Sequence, residues 1–110
     1  MIEETIKELE SRLSTADSMG KSQKAELLDL LASLRSEVAQ LSTTHGEQAQ
    51  SIAGFTRVSA HEAIRKERDP KLIELAVSGL ETSVTGFEKS HPKLVEVVNR
   101  ICVTLSNLGI

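Results

Sequence analysis

The sequence has no tryptophan and no tyrosine, and Phe55 and Phe87 are its only phenylalanines. Stacking platforms for bases and aromatic cages for cations are thereby excluded. A single cysteine, Cys102, cannot close an internal disulfide, which fits a reducing cytoplasm. No apolar run approaches the ~18 residues that a membrane-spanning helix requires. The opening Met1-Ile2-Glu3-Glu4 is acidic where a secretory signal is basic and then apolar, so the expected location is the cytoplasm. Glycines stand scattered at 20, 46, 54, 79, 86 and 109, and no phosphate-cradling loop can be assembled from them. Strand-like alternation is absent.

What the chain does have is helical period. Its 110 residues suffice for one domain with a modest core. Ile2, Ile6, Leu9, Leu13 and Ala16 repeat at four and three, the seam of an amphipathic helix over 2–17. Asp17-Ser18-Met19-Gly20 reads as a tight connection, with Gly20 suited to a left-handed conformation and Ser22 to the next N-cap. Leu27, Leu31, Leu34, Val38 and Leu41 mark a second helix over 22–43. Its register runs on through His45, Gln48, Ile52 and Phe55. The spacing therefore favours continuity with 44–67, as one helix or two collinear ones, over a break capped by a Thr44–Glu47 capping box. Asp69-Pro70 then caps and starts a helix over 70–88, with the seam Ile73, Val77, Leu80, Val84 and Phe87. His91-Pro92 repeats that punctuation before a last helix over 92–108, which stops at Gly109. The expected fold is all-α: an antiparallel bundle of four or five helices with coiled-coil-like packing.

One edge of the third segment is small throughout: Gly46, Ala49, Ala53, Thr56, Ala60 and Ala63. A matching edge, containing Gly79, follows on the next helix. Glycine inside a helix costs about 1 kcal/mol relative to alanine, so the pattern points to helices in close approach. Chance alignment of a good helix former is the bland alternative.

The net charge of −3 sits wholly in residues 1–42, which carry five Lys/Arg against eight Asp/Glu. That balance argues against a nucleic-acid-binding surface. Arg57, His61, Arg65 and Arg68 nevertheless form a basic stripe. Its functional reading is contact with an anion; its structural reading is that cations complement a helix C-terminus, at about 0.3–1 kcal/mol each. His61-Glu62 begins an HExxH zinc motif, but Arg65 holds the second ligand's place. Ser59, His61 and Glu62 cannot form a triad from one helix, because His61 points away from the other two. Cys102 beside the Val98–Leu105 seam reads as an inert core residue. No catalytic, cofactor or metal site is expected, and neither is an enzyme.

The run Gly86-Phe87-Glu88-Lys89-Ser90-His91-Pro92-Lys93-Leu94-Val95, with Asn99-Arg100-Ile101 and Leu105-Ser106-Asn107-Leu108-Gly109-Ile110, resembles the bacterial domain-of-unknown-function family 4404. Ser51-Ile52-Ala53-Gly54-Phe55 and Ser59-Ala60-His61-Glu62-Ala63 resemble a longer variant of it. The resemblance implies a small bacterial helical protein and brings no activity with it. The sequence thus leads to a non-enzymatic, self-associating interaction module. A homo-oligomer, dimeric by default, is expected, with an unidentified protein partner as a further possibility and no membrane. The alternative is a regulatory module that binds an anionic partner or nucleic acid through the Arg57–Arg68 stripe.

Overall fold

The computed structural model describes residues 2–16 and 19–108. Asp17, Ser18, Gly109 and the Ile2 side chain, used above, lie outside the described residues. Five helices follow one another: α1 (Ile2–Ser14), α2 (Lys21–Ser42), α3 (Gly46–Ile64), α4 (Pro70–Ser83) and α5 (Pro92–Leu108). Among the described residues there is no strand.

The expected continuity of α2 and α3 is wrong. Placed end to end they would span about 60 Å, whereas the longest dimension of the molecule is 37 Å. The break has a chemical cause in three successive hydroxyls. Ser42 Oγ, Thr43 Oγ1 and Thr44 Oγ1 donate to the carbonyls of Ala39, Gln40 and Leu41 at 2.7, 2.8 and 3.4 Å. These bonds satisfy terminal carbonyls of α2 and compete with the amides that would continue the helix. His45 then leaves the helical region, at φ −134° and ψ 64°, and caps α3 through its backbone with no side-chain bond. Its carbonyl accepts from Ala49 N–H at 2.9 Å. The capping box at Thr44 and Glu47 therefore does not form.

Other boundaries shift for similar reasons. α1 closes at Ser14, where Ser14 Oγ and Thr15 Oγ1 donate to the carbonyls of Ser11 and Arg12. α3 stops at Ile64, because Arg65 is extended. α4 stops at Ser83, short of the expected 88, and the chain turns at Gly86 with φ +99°. Gly20 is not left-handed: at φ −68° and ψ 156° it caps α2 itself, in place of Ser22. The Asp69-Pro70 start forms as its sequence suggests, with Asp69 Oδ1 accepting Lys71 N–H at 3.0 Å.

One hydrophobic core runs through all five helices and contains Leu9, Leu34, Ile52, Leu80 and Leu105 at its fully covered centre. α1 pairs with α2, aided by an Arg35–Glu10 ion pair at 2.7 Å. α3 folds back against both and packs most extensively on α4, while α5 closes the bundle on α2 and α4. The radius of gyration, 12.9 Å, matches the ~13 Å of a compact chain of about 100 residues. The core therefore closes within one chain, and no long helix projects in need of a partner. A projecting helix therefore gives no reason to expect an oligomer.

Candidate interaction surface

Seam residues of α3 divide into two groups. Ala49, Thr56, Ala60 and Ala63 are buried at 2% exposure or less, and Thr56 Oγ1 donates to the Ile52 carbonyl at 2.7 Å. Gly46 is exposed, and a Cβ added there would meet nothing within 4 Å, so it is no part of a tight contact. Ala53, although covered, borders with Gly46 an open hollow of about 820 Å³ between α1 and α3.

Gly79 of α4 touches α3 at Phe55 instead. A Cβ at position 79 would stand 2.4 Å from Phe55 Cε1 and 2.6 Å from Cδ1. Leu72, Leu75 and Gly79 lie three and four residues apart and so share one edge of α4. The Phe55–Gly79 contact shows that this edge faces α3. Phe55 and Val58 occupy the matching edge of α3. All four large side chains on these edges remain open to solvent: Phe55 41%, Val58 38%, Leu72 40% and Leu75 69%. Together they make an apolar strip along the outside of the α3–α4 pair. The remaining large exposed apolar residue of the described chain, Val103 on α5, stands alone at 61%.

The basic stripe is distributed over local partners. Arg65 Nη1 is paired with Glu62 Oε1 at 2.6 Å, and this contact holds its guanidinium pKa above the ordinary value. Arg68 Nη1 donates to the Leu108 carbonyl, on the last turn of α5, where a cation complements the helix end. His61 Nδ1 accepts from Arg12 Nη2 at 3.2 Å, which ties α3 to α1. Arg57 is exposed. Ser59, His61 and Glu62 do not assemble: Ser59 Oγ is buried without a hydrogen-bond partner, His61 is exposed, and Glu62 serves Arg65.

A ring cluster that sequence spacing does not suggest sits at the α2–α3 turn. His45, Phe87 and His91 meet edge to face, with centroids 5.4, 5.5 and 6.1 Å apart. Thr44 Oγ1 and Ser90 Oγ lie 2.8 and 2.9 Å from the respective Nδ1 atoms. Because Phe87 joins the pair and also packs on the core, the cluster pins the connection between α4 and α5. Among the described residues, no three metal-ligating side chains gather.

Cys102 is buried, with Sγ 3.8 Å from the Val77 carbonyl oxygen. Burial, and secondarily the charge of Glu81, push its thiol up to about 12. No helix is long and apolar enough to cross a membrane among the described residues.

The model of the domain of unknown function DUF4404 matches residues 27–110. The chain belongs to that family. The match begins within α2 and takes in all of α3, α4 and α5, hence the whole apolar strip, while α1 precedes it. No curated protein and no solved structure matches the chain.

Proposed function

We propose that this DUF4404 protein is a non-enzymatic helical module that self-associates through the α3–α4 strip. The supporting observation is the concentration of exposed apolar side chains. Single apolar residues at a surface are ordinary. Here four of the five large ones among the described residues fall on facing edges of two neighbouring helices. Fully burying a leucine is worth about 1.5–3 kcal/mol, so covering Leu75 alone is a substantial gain. A twofold arrangement sets the strip against its own copy, each residue finding the same surface on the partner. The family resemblance suggests a bacterial setting, and the single cysteine fits a reducing cytoplasm.

The anion-binding alternative draws less support, because Arg65, Arg68 and His61 of the stripe already have intramolecular partners.

Disulfide trapping tests the reading. Leu75→Cys should give a covalent dimer under mild oxidation, since position 75 lies on the strip. Val103→Cys, comparably exposed but isolated, should not. Equal trapping at both positions would refute the proposed surface.

A further inference from the structure

We draw no further inference here: the strongest candidate, the His45–Phe87–His91 ring cluster between the α2–α3 turn and the α4–α5 connection, brings together only two imidazoles, and among the described residues no third metal-ligating side chain joins them to point to a ligand.

Discussion

The Phe55 ring occupies the space that a side chain at Gly79 would need: a Cβ there would lie 2.4 Å from Cε1. This contact couples the two residues energetically and makes the strip on α3 and α4 one surface. In a Phe55→Ala background, Gly79→Ala should stabilise the protein by about 1 kcal/mol, the usual helix-propensity gain. With Phe55 present, the ring must move and the gain should be smaller by at least about 0.5 kcal/mol. Denaturant unfolding of the four proteins of this cycle measures the difference. Additive effects would show that the ring yields freely.

Ala60 lies in the core at 2% exposure. Ala60→Leu should therefore overpack the bundle and destabilise it by about 1–3 kcal/mol. Gly46→Ala, at an exposed position with open space around it, should not destabilise. Thermal unfolding of the two variants distinguishes a packed position from a free one on the same small-residue edge.

Arg68 reaches across forty residues of sequence to the last carbonyl of α5. Arg68→Ala should cost about 1–2 kcal/mol, the worth of a charge-assisted hydrogen bond at a partly covered site. Amide exchange should quicken in the final turn of α5 before it does in α2. Uniform quickening across all helices would contradict a local capping role.

The Cys102 thiol, raised from 9.0 to about 12 in the folded chain, makes a signed prediction. Below its unfolded value the thiol is protonated in both states, and the stabilising difference is fully present. As pH rises from about 9 toward 12, the unfolded state releases its proton first, and stability is lost. Wild-type protein should lose more stability over this interval than Cys102→Ala. At neutral pH the thiol should react with a maleimide only on unfolding.

The apolar seams were legible because the large aliphatic side chains at repeat positions enter the core: Leu31, Leu34, Ile73 and Leu80 are all buried, whereas Phe55, on the same register, stays 41% exposed. Val84 and Phe87 kept this role although α4 ends before them, since the turn at Gly86 still directs Phe87 onto the core. Helix ends were less legible. Hydroxyl runs such as Ser42-Thr43-Thr44 do not disturb a hydrophobic repeat, yet they satisfy the carbonyls that mark a terminus. The register through His45 to Ile52 thus survived a break that the backbone does make.

The strip left a fainter signal. Leu72 and Leu75 flank the Ile73–Val77 seam, and Phe55 and Val58 flank Ile52 and Ser59, so each helix alone reads as having a broadened apolar face. Only the contact of Phe55 with Gly79 reveals that the two margins adjoin. The His45–Phe87–His91 cluster was hidden for a similar reason, because its members come from separate turns.

Light scattering across micromolar concentrations tests the central claim most directly. The account predicts a wild-type mass that rises with concentration toward twice 12.0 kDa. It predicts a Leu75→Lys variant that stays at 12.0 kDa with an unchanged circular-dichroism spectrum. A wild-type mass of 12.0 kDa at every concentration, or a variant that associates as the wild type does, would contradict self-association through the α3–α4 strip.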